Sequence, residues 1–98
     1  MSAIKYKRKP TLPGEILTEE FLKPLQITQK QLADHIKVDI KVINRLVNGR
    51  TSLSAEMALK LSATFQNSAD FWLSAQYEND LYEARKLITK LPRPIVKE

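Results

Sequence analysis

Residues 28–50 read TQKQLADHIKVDIKVINRLVNGR, a stretch that predicts two helices joined by a very short turn. Thr28 followed by Gln31 has the form of a capping box, in which the hydroxyl and the later amide each satisfy an orphan backbone donor. A helix opens there with Leu32, Ala33 and Ile36 on its inner face. Asp39 is placed to cap the next helix, which should end at Asn48 and Gly49 because a left-handed residue past a helix end is most easily Gly. Between the two lie Lys37 and Val38. Val38 to Val42 alternates with period two, as a half-buried strand would, but the run is short and leads directly into Ile43, Leu46 and Val47 at helical spacing. The helical reading is kept.

On a helical wheel advancing about 100° per residue from Ile40, Val42, Ile43 and Leu46 fall at roughly 200°, 300° and 240°. Asn44, Asn48, Lys41 and Arg45 fall at roughly 40°, 80°, 100° and 140°. This second face is polar and carries no acid. Its residue types are those that read DNA: Asn pairs bidentately with adenine, Arg or Lys with guanine, and either cation can hold a phosphate. Taken alone it is also the face of an ordinary solvated helix. The preceding helix, set to clamp the aliphatic side, favours the reading in which the polar side enters a major groove.

Working outward, the five prolines lie at expected edges: Pro10 and Pro13, Pro24, Pro92 and Pro94. A first helix should open at Pro13, whose fixed φ suits a first helical position. It would carry Glu15, Glu19 and Glu20 towards its positive end and stop before Pro24, with Ile16, Leu17, Phe21 and Leu25 on its buried side. Ser54 caps a fourth helix reaching Phe65, with Met57, Ala58 and Leu61 facing in and Asn67 as the residue past its end. Ser68 caps a fifth and longest helix, along which Leu73, Tyr77, Leu81, Ala84, Ile88 and Leu91 form an amphipathic stripe towards Pro92. Phe71, Trp72 and Tyr82 add large apolar area away from that stripe. Both faces are either consumed within one small core or shared with a symmetry mate. The second is favoured because a short recognition helix rarely makes enough base contacts alone.

The chain has 98 residues, of which 43% are apolar and 28% charged, which suits one folded domain. Sixteen Lys and Arg against eleven Asp and Glu give a net charge of +5, pointing to an anionic partner. The charge is segregated: +4 over residues 1–9, +3 over 28–51, +4 over 85–98 and −4 over 70–83. With no Cys and one His, thiolate or imidazole metal clusters and Cys nucleophiles are excluded, and no cofactor is expected. His35 stands on the outer part of its helix with Asp34 about 100° away, which is not a catalytic pair. No enzyme is expected. No apolar run approaches the roughly 20 residues that span a bilayer, and Met1 to Lys9 lacks a following apolar segment, so a cytoplasmic location without membrane contact is expected.

Gln29, Leu32, Ala33, Ile36, Val38, Ile43 and Leu46 sit at the spacing of the phage-repressor type of helix-turn-helix, with small Ala33 where the helices cross. Read with Pro13-Gly14-Glu15-Ile16-Leu17, Thr28-Gln29-x-x-Leu32-Ala33, Ile43 to Arg50, and Phe71-Trp72-Leu73-x-x-Gln76 with Asp80-Leu81, the chain resembles the HigA family of antitoxins over about residues 10 to 84. The resemblance implies an all-α, lambda-repressor-like bundle of five helices that dimerises. It also implies binding to a palindromic operator on double-stranded DNA, repression of the protein's own operon and neutralisation of a HigB-type mRNA-cleaving toxin. By the same match, Lys41, Asn44 and Arg45, with Asn48 beside them, read bases, while Thr28, Arg50, Thr51 and Ser52 hold the DNA backbone and Gln29 contacts the backbone or an adjacent base. Phe71, Trp72, Tyr77, Leu81 and Tyr82 are the residues assigned to the dimer contact. The expected layout is a basic arm over residues 1–12, the DNA-binding and dimerisation domain over 13–91 and a loose tail over 92–98.

Two positions depart from the family pattern. Lys37 stands where many such repressors have Gly; if left-handed, it carries a penalty of about 1 kcal/mol. Ile40 stands where a polar or basic residue is commoner, and either touches a thymine methyl or extends the core, the latter being preferred. A basic antitoxin would have to meet a basic toxin through shape, apolar contacts or the acidic part of the fifth helix. The alternatives are a stand-alone repressor with no toxin, which would share the reading residues, and an RNA- or protein-binding module, which would lack preference for a palindrome.

Overall fold

The computed structural model of the chain describes residues 9–96, and every regular element among them is helical. Helix α1 is a composite: α-helical over Pro13–Ile16, π-helical over Leu17–Leu22 and α-helical again over Lys23–Leu25. Helices α2 (Gln29–Ile36), α3 (Ile40–Val47), α4 (Ala55–Phe65) and α5 (Ala69–Leu87) follow, giving the all-α arrangement of five helices expected. Of the expected basic arm, Lys9 to Leu12 are described and have no regular structure. Lys5, Lys7 and Arg8 lie outside the described residues, as do Lys97 and Glu98 of the tail.

Local hydrogen-bond chemistry sets most of the boundaries. Thr28 Oγ1 accepts from Gln31 N at 3.0 Å and Gln31 Oε1 accepts from Thr28 N at 2.9 Å, closing the capping box of α2. Asp39, Ser54 and Ser68 cap α3, α4 and α5 by accepting from Lys41 N, Met57 N and Phe71 N. Lys37 is left-handed at φ 60°, and Val38 N donates to Ala33 O at 3.0 Å, so the turn into α3 is a Schellman-type stop built on a lysine. Gly49, at φ 69°, turns the chain away after α3.

Three boundaries differ from expectation. The first helix does not stop before Pro24. The proline ring cannot donate and would crowd the carbonyl four residues back in a regular α-turn. Here the wider π turn, in which Lys23 N reaches back to Thr18 O, carries the chain past it to a left-handed Gln26. The π segment also shifts the buried side: Leu17 and Leu22, five residues apart, are buried, whereas Leu25 is 56% exposed. At the end of α4 the left-handed residue is Gln66, not Asn67. Asn67 Oδ1 is drawn instead to Trp72 Nε1, which donates to it at 2.8 Å. Finally, α5 ends at Leu87, so Ile88 and Leu91 are not helical continuations of the stripe. Ile88 and Thr89 are β-branched, and no neighbouring helix of this protomer buries that turn, so nothing offsets their weak helical preference.

The core is built from Leu17, Leu22, Leu32, Ala33, Ile36, Ile43, Leu46, Leu53, Met57, Ala58, Leu61 and Trp72. Burying each large aliphatic side chain contributes about 1.5–3 kcal/mol. Trp72 has no accessible surface and is boxed by Phe21, Phe65 and Phe71, with ring centroids 5.2, 6.4 and 5.2 Å away. The start of α1 lies directly on the end of α3: a Cβ on Gly14 would run into Leu46 O and sit 2.9 Å from Val47 Cα. These are backbone atoms that cannot step aside. Gly14→Ala is therefore expected to destabilise the fold by about 2 kcal/mol through overpacking, lowering the melting temperature by about 10 °C in a domain of this size. An unchanged melting temperature by circular dichroism would contradict the contact.

Candidate nucleic-acid interface

The side of α3 opposite its buried residues is the feature to account for. Ile43 and Leu46 are 0% and 4% exposed, fastening the helix to α2 across Ala33, which is 1% exposed and admits the close crossing. Lys41, Asn44, Arg45 and Asn48 are all exposed on the other side, as the wheel requires. Ile40, at 40% exposure, belongs to this outer rim and not to the core, contrary to the preferred reading. On the wheel it lies between the buried Ile43 and the exposed Asn44, at the edge of the two faces.

The amides of this face are joined. Asn44 Nδ2 donates to Gln29 Oε1 at 3.2 Å, linking the start of α2 to the middle of α3 across 15 positions. Asn48 Nδ2 donates to Asn44 O at 2.9 Å and to Asn44 Oδ1 at 3.3 Å. An amide nitrogen carries two hydrogens and an amide oxygen two lone pairs. Asn44 therefore keeps one donor and one acceptor site unused, which is what a bidentate pair with adenine requires. Gln29 keeps both of its N–H groups. This ordering across two helices is not legible in the sequence, since nothing local marks positions 29 and 44 as neighbours.

Acids are engaged elsewhere. Asp34 pairs with Lys30 at 3.0 Å, Glu19 with Lys23 at 2.8 Å, Glu56 with Lys60 at 3.3 Å and Glu83 with Lys86 at 3.6 Å, each within one helix. Among the described residues, Lys41, Arg45 and Arg50 take part in none of these pairs. Beyond α3, Gly49 turns the chain so that Arg50, Thr51 and Ser52 are exposed while Leu53 is buried. Arg50 N donates to Arg45 O at 2.9 Å, and Leu53 N donates to Gln76 Oε1 at 2.8 Å, so the loop is tied at both ends. Thr28 Oγ1 is committed to its cap, which leaves its own O–H free to donate.

The residues assigned to a dimer contact are not all placed together. Trp72 is sealed within the protomer and is removed from that set, because its ring completes the aromatic box and its N–H is already satisfied by Asn67. Phe71 is 41% and Tyr77 62% exposed, and Leu81 and Tyr82 are half-buried. Leu81 and Ala84 line an open apolar groove with Arg85, Ile88 and Leu91. The predicted stripe is thus divided: Leu73 packs on the core, while Tyr77, Ile88 and Leu91 remain exposed. His35 is exposed. Among the described residues, no helix is long and apolar enough to cross a membrane.

Two helices clamped through a tight turn, the second presenting exposed amides and cations, define a helix-turn-helix module, and the family model described as helix-turn-helix matches residues 19–72. Antitoxin HigA-1 of Vibrio cholerae is 42% identical over 81 residues, spanning 83% of this chain and 76% of that protein. The Pseudomonas aeruginosa antitoxin HigA, solved with the higBA promoter, superposes with a TM-score of 0.82 at 36% identity, over 90% of this chain and all of that one. A further structure, that of P. aeruginosa PA4674 in complex with an 18-base-pair operator DNA, matches with a TM-score of 0.78 at 38% identity, over 82% of this chain and 86% of that one. The chain belongs to the helix-turn-helix family, in its HigA antitoxin branch, a non-enzymatic class of regulators.

Proposed function

We propose that the chain binds a palindromic operator as a homodimer, represses its own operon and neutralises a HigB-type mRNA-cleaving toxin. The observation that carries the DNA part is the outer face of α3, where exposed amides hold free valences and the cations are not paired with acids. Lys41, Asn44, Arg45 and Asn48 read base edges, Ile40 meets a thymine methyl, and Thr28, Gln29, Arg50, Thr51 and Ser52 hold phosphates. Support comes from the relatives solved with promoter or operator DNA. The partner copy packs on Phe71, Tyr77, Leu81 and Tyr82 and on the groove that Ile88 and Leu91 extend, which gives the two-fold symmetry a palindrome reader needs. The toxin meets the acidic part of α5, between Asp70 and Glu83. The domain runs over residues 13–91 and works in the cytoplasm.

Gel shifts on the chain's own promoter, with and without the product of the adjacent reading frame, test this directly. A dimer-sized shift on half-sites about 34 Å apart is expected, together with co-purification of the adjacent protein. Equal binding to scrambled duplex would contradict the operator reading. A dimer that binds operator but retains no neighbour would leave a stand-alone repressor. Arg50→Ala should weaken binding to every duplex similarly and flatten the dependence of log K on log salt by about one unit. An unaltered slope would take Arg50 out of the interface.

A further inference from the structure

The segment Trp72-x-x-x-Gln76-x-x-x-Asp80 contains a side chain whose two ends face opposite demands. Gln76 Oε1 accepts from Leu53 N at 2.8 Å, across 23 positions, and Gln76 Nε2 donates to Asp80 Oδ1 at 2.8 Å. Leu53 is 4% exposed and closes the loop that follows the recognition helix, so its N–H needs an acceptor from within the protein. The Asp80 carboxylate accepts hydrogen bonds and donates none. A side chain at position 76 must therefore be an acceptor towards the loop and a donor towards Asp80 at once. An amide meets both demands and a carboxylate does not. The same carboxylate fixes which way the amide lies, aiming its oxygen at the loop.

We propose that Gln76, oriented by Asp80, is the positioning residue that sets Arg50, Thr51 and Ser52 against the DNA backbone. It does so by fastening their loop to the middle of α5, the helix that carries Phe71, Tyr77, Leu81 and Tyr82 of the proposed dimer surface. The inference rests on the DNA-binding reading above and deepens it: the loop's place relative to the two-fold axis, and so the distance between the two half-site grips, is held by one side chain. Pro13, Gly14 and Leu46 line the same cleft as Gln76, Asp80 and the loop, so the fastening sits where α1, α3 and α5 meet.

The test uses the full chain, an operator duplex and fluorescence anisotropy over a range of salt. Gln76→Ala is expected to weaken operator binding about tenfold, the size of one lost backbone hydrogen bond, and to flatten the salt slope as the loop's phosphate contacts loosen. In an Arg50→Ala background the same change should cost markedly less, because the contact it positions is already gone. The decisive variants exchange the polarity. Gln76→Glu alone sets a carboxylate against Asp80 and should bind as weakly as Gln76→Ala. Combined with Asp80→Asn it restores an acceptor for Leu53 and a donor beside it, and wild-type affinity should return. If Gln76→Ala fails to fold, this pair still decides. Failure of the combined variant to recover affinity while circular dichroism shows it folded would overturn the proposal, as would full additivity with Arg50→Ala. Absence of operator binding by the unaltered chain would instead overturn the DNA-binding reading itself.

Discussion

Arg45→Ala is expected to weaken binding to the cognate operator by about 1–3 kcal/mol, roughly five- to 150-fold, while binding to unrelated duplex changes little. The side chain is exposed and in no ion pair with an acid, so its removal leaves no buried charge behind. The Arg50 N to Arg45 O hydrogen bond uses only backbone and survives. Asn44→Ala should cost a similar amount for a second reason as well: Asn44 is the middle of the amide relay, and without its side chain Gln29 loses the contact that holds it and Asn48 keeps only its bond to the backbone oxygen of residue 44. Gln29→Ala added to Asn44→Ala should therefore cost less than the two separate losses combined. Competition binding with cognate and scrambled duplexes measures both effects. Normal affinity for both single variants would mean that α3 does not face the bases.

Leu81→Asp is expected to have the larger effect. Leu81 lines the groove formed with Ala84, Ile88 and Leu91, and a carboxylate there would lose its water when a second copy docks. The protomer should then remain single, and operator affinity should fall by about 10²–10⁴, the gain that linking two half-site modules supplies. Trp72 is the chain's one tryptophan and is fully buried in the aromatic box, so its emission reports whether the protomer itself is still folded. Light scattering that finds a dimer of unchanged stability, with intact operator binding, would move the interface elsewhere.

What the sequence revealed depended on how far apart the interacting groups lie along the chain. The caps at Thr28, Asp39, Ser54 and Ser68 were legible because each bond closes within three residues. So were the inner face of α3 and the special position of Lys37, whose left-handed turn carries about 1 kcal/mol of strain. The passage of α1 through Pro24 was not, since π and α turns share one sequence pattern until packing selects between them. The seat of Gly14 on α3, the Gln29–Asn44 link and the Gln76–Leu53 link join residues far apart in sequence. No local periodicity announces such pairs. At the end of α5 the pattern promised more helix than forms, because a stripe of apolar residues stabilises a helix only where something covers it.

The most direct measurement is a nuclear magnetic resonance titration of isotope-labelled chain with operator duplex, following side-chain amide and guanidinium signals. The signals of Asn44, Asn48, Gln29 and Arg45 are expected to shift and saturate with the cognate duplex and to respond weakly to a scrambled one. If those signals stay in place while the changes gather on α5 or around His35, α3 is not the surface that meets DNA.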